Sequence, residues 1–501
     1  MNNRFVLTIA IGSVLAALTG NAFAQTTTAT TQPAETKRLG TDNHAVDGAA
    51  VKFAVTPAAI YKSATESLVV VQFTWASEVR KLELSCAGIV INNDGVIMAS
   101  LAAFNPQFPD EQLVDFKVII PHDDRDHEEF DAEFLGRDER WGVAYVKVKP
   151  VADKEMPAWK PLAFTDAKVD VGETVYSVGM LPKAGGYKTY LATGTVAAHI
   201  PEAVPTVLTM GALAPVQSPV FNAEGKAIGL VSSTAGQTPY LSTGQREMDD
   251  RSQLIAITNP PRFWVASKEF TPGLTDLPKA GEPVKLSYLG VRDMKGLTKD
   301  VAEYYGLSNQ PAIQLGDVVP GTPAAKAGLK RGSIVTKFNG KPLERGSEPD
   351  DLPGILARDL IRAKPGEKVT LTILPGRDQP TQDITVELAE RPERANVAKR
   401  YFAEDLGFGV RALVFDDTYE RKLAEDEKGV VITIVRPQSA AANARLEGDE
   451  LITQMNGQPV TDLEQFQTAY DTFRKETPKE AVVFVVKRDG REDTVRIEPP
   501  Q

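Results

Sequence analysis

The chain has 501 residues, enough for about three domains at roughly 150 residues each. Its 42% hydrophobic, 25% charged and 7% aromatic content is a globular balance and argues against wholesale disorder, a collagen or a multi-span membrane protein. A net charge of −11 with no basic block argues against nucleic-acid binding, and a single cysteine, Cys86, excludes an intramolecular disulfide and any multi-cysteine metal centre.

In chain order, Arg4 is a minimal basic start, Phe5 to Leu18 form an apolar run, and Ala22-Phe23-Ala24 is a small-x-small cleavage site. Residues 1–24 therefore read as a signal peptide, with an uncleaved anchor as the alternative, and the protein as exported, periplasmic or extracellular. The apolar run is short of the roughly 20 residues a bilayer span needs. Residues 25–55 are rich in Thr, Ala and Pro and read as a disordered spacer.

From 56 to 268 short β-branched runs (Leu68 to Phe73, Ala87 to Ile91, Val143 to Val148, Ala227 to Ser232) alternate with Gly, Asp and Asn turns. That pattern predicts an antiparallel barrel or sandwich. Gly88 to Met98 reads as a hairpin around Asn93-Asp94-Gly95. Pro121 to Glu129 holds His122, His127 and several acids; it reads as a solvated loop, with a divalent-metal site as the alternative, although its spacing matches no zinc pattern. Cys86 and the tryptophans Trp141 and Trp159 read as packing residues. No cofactor and no metal is expected.

The C-terminal half repeats itself at an offset of 117 residues: Leu289-Gly290 falls on Leu406-Gly407, Pro320 on Pro437, Thr322 on Ser439 and Asn339-Gly340 on Asn456-Gly457. Thr322 suits a helix N-cap, Pro323 the first helical position and Gly328 the stop; the second copy has Arg445 where the first has Gly328. Thr461-x-x-Glu464 predicts a capping box, and Leu463, Phe466, Tyr470 and Phe473 one apolar helix face. Final strands are expected over 368–374, 384–388, 482–487 and 493–497.

These copies, 284–390 and 404–498, resemble the PDZ domains of bacterial HtrA/Deg proteases. The first carries Tyr288-Leu289-Gly290-Val291 and Val319-Pro320-Gly321-Thr322-Pro323-Ala324-Ala325. The resemblance implies capture of an extended C-terminus, which adds as a strand while its carboxylate sits on a Gly-containing loop. That loop would be Leu286, Ser287, Tyr288, Leu289, Gly290 and Val291 in the first copy. In the second it would lie within Asp405 to Val410, at Leu406, Gly407, Phe408 and Gly409. The alternative is that one or both grooves are closed.

The middle third resembles the same family's trypsin-like domain in three places. After the hairpin, where the family carries its histidine, stands Ala102; in Leu135 to Val148, where the aspartate belongs, stands Gly142; in Ala214 to Gly229, where the nucleophile belongs, stands Val216. Ala102 cannot accept a proton, Gly142 cannot orient a base and Val216 has no nucleophilic atom. Ala214-Pro215 and Gln217-Ser218 also replace the family's oxyanion-loop residues, and proline removes a donor.

The expected fold is thus mainly β: a trypsin-like double β-barrel followed by two α+β PDZ domains. The expected function is an exported, catalytically inactive HtrA/Deg-like pseudoprotease and not an enzyme. It would bind peptides or unfolded segments as a scaffold, a chaperone-like binder or a regulator of active proteases. Its partners would be peptides or proteins in the PDZ grooves and homo- or hetero-oligomers with HtrA-like relatives, without nucleic acid and without a transmembrane segment after signal removal. Two alternatives stay open. One is a serine endopeptidase with a rearranged site, for which Ser218 with His199, or a Ser/Lys dyad, are the arrangements to test. The other is a structural envelope protein with closed PDZ grooves.

Overall fold

A computed structural model describes residues 55–500, apart from 79, 152–155, 233–239, 243–262, 309, 425 and 489. The signal-peptide reading and nearly all of the spacer lie outside the described residues.

The described chain opens with helix α1 (Pro57–Thr65). Thr56 caps it by accepting from the Ala59 N–H at 3.3 Å, with proline at the first helical position. Strands β1 (Leu68–Ala76), β2 (Lys81–Val90), β3 (Val96–Ser100), β4 (Leu113–Ile120), β5 (Glu128–Asp138) and β6 (Val143–Val148) follow. They pair in the order β1-β4-β5-β6-β3-β2, and β2 returns to β1 to close the sheet. The predicted hairpin forms as read: Asn92 Oδ1 accepts from Asp94 and Val96 N–H, each at 3.0 Å, and Gly95 supplies the left-handed residue at φ 71°.

A second closed barrel contains β7 (Thr174–Met180), β8 (Thr189–Ile200), β9 (Thr206–Gly211), β10 (Pro219–Phe221), β11 (Ala227–Val231) and, after β12 (Tyr240–Ser242), β13 (Phe263–Ala266). Strand β12 instead joins β2 of the first barrel. Alternation explains why β1 is apolar on both faces. Val69, Val71 and Phe73 point into the first barrel, where Phe73, Phe104, Phe116 and Phe134 stack. Leu68 and Val70 point to the layer between the barrels, which Met98, Tyr145, Val178 and Phe221 complete.

The first C-terminal module holds β14 (Ser287–Tyr288), β15 (Lys295–Gly296), α2 (Lys299–Tyr304), β16 (Ile313–Gln314), α3 (Pro323–Lys326), β17 (Ile334–Phe338), β18 (Lys341–Pro342), α4 (Leu352–Arg362), β19 (Lys368–Leu374), β20 (Gln382–Glu387) and β21 (Ala389–Glu390). Strands β15-β16-β17-β19-β20 make its sheet, β14 pairs with β21, and α4 covers the core through Leu352, Ile355, Leu356 and Leu360.

The second module holds β22 (Arg400–Ala403), β23 (Phe408–Ala412), α5 (Phe415–Glu420), β24 (Val430–Val435), α6 (Ala440–Asn443), β25 (Leu451–Met455), β26 (Gln458–Pro459), α7 (Leu463–Glu476), β27 (Val482–Arg488) and β28 (Arg491–Ile497). Its sheet runs β22-β23-β24-β25-β27-β28. Helix α7 buries Phe466 and Tyr470, as its spacing predicts. Its cap sits one residue later than read: Asp462 accepts from the Gln465 N–H at 2.9 Å, and Gln465 reaches back to the Thr461 N–H at 3.3 Å. Aspartate's shorter reach suits the cap as well as threonine's hydroxyl, which here donates to Asp462.

Among the described residues, no helix is long and apolar enough to cross a membrane.

Candidate functional site

The first two positions that the sequence reading matched to a triad lie in neighbouring loops of the first barrel, after β3 and before β6. Ala102 is exposed in the turn after β3, its N–H on Ser100 Oγ at 3.2 Å. The neighbouring Leu101 N–H donates to the Gly142 carbonyl at 3.1 Å. Gly142 is exposed, left-handed at φ 68°, and has open space where a side chain would stand.

Val216 is buried in the turn that precedes β10, which the Ser218 N–H closes on the Pro215 carbonyl at 3.0 Å. Gln217 follows it at φ 77°, a strained conformation for a residue with a side chain. Its side-chain amide nitrogen, Nε2, is buried without a partner. Two of the loop's other donors serve the barrel itself. Ala214 N–H goes to Ser177 Oγ at 2.7 Å and Gln217 N–H to the Val231 carbonyl at 2.9 Å. A hollow for an oxyanion needs backbone donors that point outward, and these do not.

Ser218 and His199 do not meet. The Ser218 hydroxyl lies against Gly179, 3.1 Å from where a β-carbon would stand. Gly179 pairs with Tyr190, while His199 lies nine residues further along β8, paired with Val207. At ~3 Å per residue that is on the order of 25 Å. His199 Nε2 instead contacts the Val169 carbonyl at 3.0 Å.

In the acidic loop, Glu128 is shared by His122 Nε2 at 3.1 Å and Arg125 at 2.8 Å, and the His122 N–H donates to His127 Nδ1 at 3.2 Å. Among the described residues no three metal-ligating side chains converge. Cys86 is buried in β2, and burial pushes its thiol up to about 12, so it stays protonated and unreactive.

The sequence reading missed how tightly the Gly142 loop is held. Asp138 is fully buried and takes Arg140 in a forked pair at 2.9 and 2.7 Å. Glu139 accepts from Arg391 at 2.7 Å and Arg394 at 2.9 Å. Burial pushes the Glu139 carboxyl up, but these two guanidinium groups outweigh it and hold it below the usual range. Arg362, at the end of α4, lies over the Trp141 ring at 4.6 Å and reaches Glu269 at 3.1 Å. The loop is thereby tied to the first PDZ module and to the segment after it. Basic residues at 391 and 394 were the only hint in the sequence, and spacing alone gave them no partner.

The two glycine loops are built alike. In the first, Val319 N–H donates to the Gly290 carbonyl at 2.9 Å and Ala324 N–H to the Leu289 carbonyl at 2.9 Å. In the second, Arg436 N–H donates to the Gly407 carbonyl at 2.8 Å and Ala441 N–H to the Leu406 carbonyl at 3.0 Å. Both glycines are left-handed, at φ 89° and 77°. A β-carbon on them would stand 2.1 Å from Thr322 Cβ and 2.5 Å from Ser439 Cβ, so only glycine fits. Thr322 does not cap α3 with its side chain; its hydroxyl donates to the Val319 carbonyl at 2.6 Å.

Comparison with known proteins agrees with this architecture. Residues 86–230 match the trypsin-like peptidase domain, and residues 315–375 and 407–498 each match a PDZ domain. A probable periplasmic serine endoprotease, DegP-like, of Marinomonas sp. (strain MWYL1) is 27% identical over 387 residues, 76% of this chain and 72% of that protein. Its namesake in Pseudomonas fulva (strain 12-X) is 28% identical over 414 residues, 81% of this chain and 77% of the relative. Among solved structures, the HtrA-type protease AlgW with tripeptide aligns at TM-score 0.49 and 18% identity, over 68% of this chain and 99% of that one.

These relatives correct the expectation that the chain is not an enzyme, because they bear the name of serine endoproteases. The physical reason is that empty positions at 102, 142 and 216 speak to one arrangement of nucleophile and base, while such pairs arise in several arrangements. The chain carries a trypsin-like peptidase domain followed by two PDZ domains, and its relatives are DegP-like serine endoproteases.

Proposed function

We propose that this chain is a periplasmic protein of the HtrA/DegP type that captures C-terminal or unfolded polypeptide segments through PDZ modules and presents them to the two-barrel domain. Its parts are an export signal (1–24), a spacer (25–55), the barrels (56–268) and the PDZ modules (284–390 and 404–498). The relatives' endoprotease names supply the reaction class, hydrolysis of peptide bonds. Such hydrolysis draws its nucleophile and base from side chains other than those at 102, 142 and 216. The same capture also serves a chaperone-like binder, or a regulator that assembles with HtrA-like relatives.

The observation that carries this reading is the loop Leu286–Val291, locked by Gly290 against Thr322 beside a strand edge. Val291 pairs with Val318 on one side, and among the described residues no strand pairs its other side. A free edge beside a glycine loop is what strand addition by a peptide requires.

The test uses the full mature chain. Peptides from a random C-terminal library should be retained, and amidating their C-termini should release them. Failure to enrich any sequence sinks the capture reading. Unfolded casein and a fluorophosphonate probe test hydrolysis on the same sample. Peptide mapping of a labelled serine names the nucleophile, and cleavage that survives Ser218→Ala clears that residue.

A further inference from the structure

The residues that lead into the two glycine loops go to different partners. In the first module the chain leaves the groove: Ser287 pairs with Glu390, Tyr288 with Ala389, and the Arg391 N–H donates to the Leu286 carbonyl at 2.7 Å. In the second, the residues four to seven positions before Gly407 fold back on the groove strand itself. Arg400 pairs with Arg411, Tyr401 with Val410, Phe402 with Gly409 and Ala403 with Phe408, all antiparallel. The ladder is closed at one end by Gly407 N–H on the Ala403 carbonyl at 2.8 Å and at the other by Ala412 N–H on the Lys399 carbonyl at 3.0 Å.

Strand β23 has only two edges. One carries β24, where Phe408 faces Val435, and the other carries β22. A peptide that adds as a strand needs a free edge, and here there is none.

Strand β22 also supplies what a captured peptide would bring to the helix. Tyr401 lies 6.2 Å from Phe466 and 5.9 Å from Tyr470 of α7, ring centre to ring centre, and its hydroxyl donates to Asp471. Ala403, on the same face two residues on, is buried in the same core. The carboxylate that follows, on Asp405, accepts from the Tyr470 hydroxyl at 2.7 Å and from Arg474 at 2.6 Å.

We propose that Arg400–Ala403 is the second module's own ligand, so that each chain captures one external C-terminus, at the first module. The second module takes one only after β22 detaches. This rests on the capture reading for the external segment, but the internal strand can be tested without it.

The first measurement needs no peptide. Hydrogen exchange on the full mature chain should find the amides of Tyr401 and Ala403 protected to the level of β24. Exchange as fast as in an unstructured chain overturns the proposal, whatever peptides do. The second measurement is calorimetric stoichiometry with a library-enriched peptide bearing a free carboxylate. The parent chain should take up one equivalent.

Tyr401→Asp sets a charge against Asp471, and Ala403→Pro removes a ladder N–H. Either should raise uptake to two equivalents, with β27 amides still protected as proof of folding. Two equivalents in the parent chain, or one in both folded variants, overturns the proposal. Protection of β22 with no uptake by any variant leaves the internal strand standing and sinks external capture instead.

Discussion

The two PDZ modules share two backbone hydrogen bonds at their glycine loops and differ in the strand that enters them. Leu289, Gly290, Val319 and Ala324 repeat the hydrogen bonds of Leu406, Gly407, Arg436 and Ala441. Yet β14 leaves for β21, and β22 stays on β23. Glycine and cap positions fix local backbone, because their φ values admit few solutions. Which edge a short strand joins is a choice among partners of similar worth, and packing decides it. In the first module Asp293 at φ 55° breaks the strand soon after the loop, whereas β23 runs on to Ala412 and offers a longer ladder.

The sharpest way to break the likeness is at a pair only the second module has. Arg411 and Asp417 are both buried and joined at 2.5 and 2.7 Å, and the Val414 N–H adds a third bond at 3.0 Å. Among the described residues the first module buries no carboxylate. Asp417→Ala strands a buried guanidinium and should cost the second module about 3–5 kcal/mol. Denaturant unfolding followed by hydrogen exchange should show β24 and β25 opening early while β17 and β19 hold. Equal loosening of both modules would mean that they unfold as one unit.

The glycines predict a likeness in stability and a difference in binding. Gly290→Ala and Gly407→Ala force the same kind of clash, tighter at Gly290, and the same left-handed strain, on the order of 1–3 kcal/mol each. Thermal midpoints should fall together. Peptide uptake should vanish only in Gly290→Ala, because the second groove is already filled. Loss of uptake in Gly407→Ala, with Gly290→Ala still competent, would reverse the assignment of the two modules.

Acid gives a milder version of the first prediction. Burial raises the Asp417 carboxyl, but the bonds from Arg411, the Val414 N–H and the charge of Arg421 outweigh it, so its folded pKa is depressed. A depressed acid stabilises the fold above its unfolded pKa of about 4, and that stability is lost as pH falls through the folded value. Below about pH 4 the second module should therefore loosen before the first. Fluorescence or exchange against pH would read this; a first module that opens sooner would place the acid-sensitive contact elsewhere.

Much of this was legible in the residues. The barrel hairpin at Asn92–Gly95, the offset repeat and the apolar face of α7 follow from turn chemistry and periodicity, which act over a few residues. The partner of Arg400–Ala403 was not legible, because Tyr401 and Phe402 favour any strand and carry no mark of which edge they join. The clamp on Glu139 was hidden for a related reason: its arginines lie some 250 positions away in sequence. The oxyanion loop was half legible. Pro215 announced a missing donor, but that Ala214 and Gln217 spend theirs on Ser177 and Val231 depends on how the barrel closes.

The smallest test exchanges the residue at which the two copies visibly part. Gly328 ends α3 at φ 79°, and Arg445 ends α6 at φ 62°. A left-handed residue with a side chain costs roughly 1 kcal/mol that glycine avoids. Arg445→Gly should therefore raise the second module's midpoint by a few degrees, the shift expected of ~1 kcal/mol in a domain of this size. Gly328→Arg should lower the first module's by a similar amount. The extra freedom of glycine in the unfolded chain pulls the other way and trims both effects alike. Arg445 gives its carbonyl to Arg488 at 3.4 Å, a backbone contact that glycine keeps. A fall in stability on Arg445→Gly would thus put the benefit in the arginine side chain itself, and the two helix ends would then be alike in shape but not in what holds them.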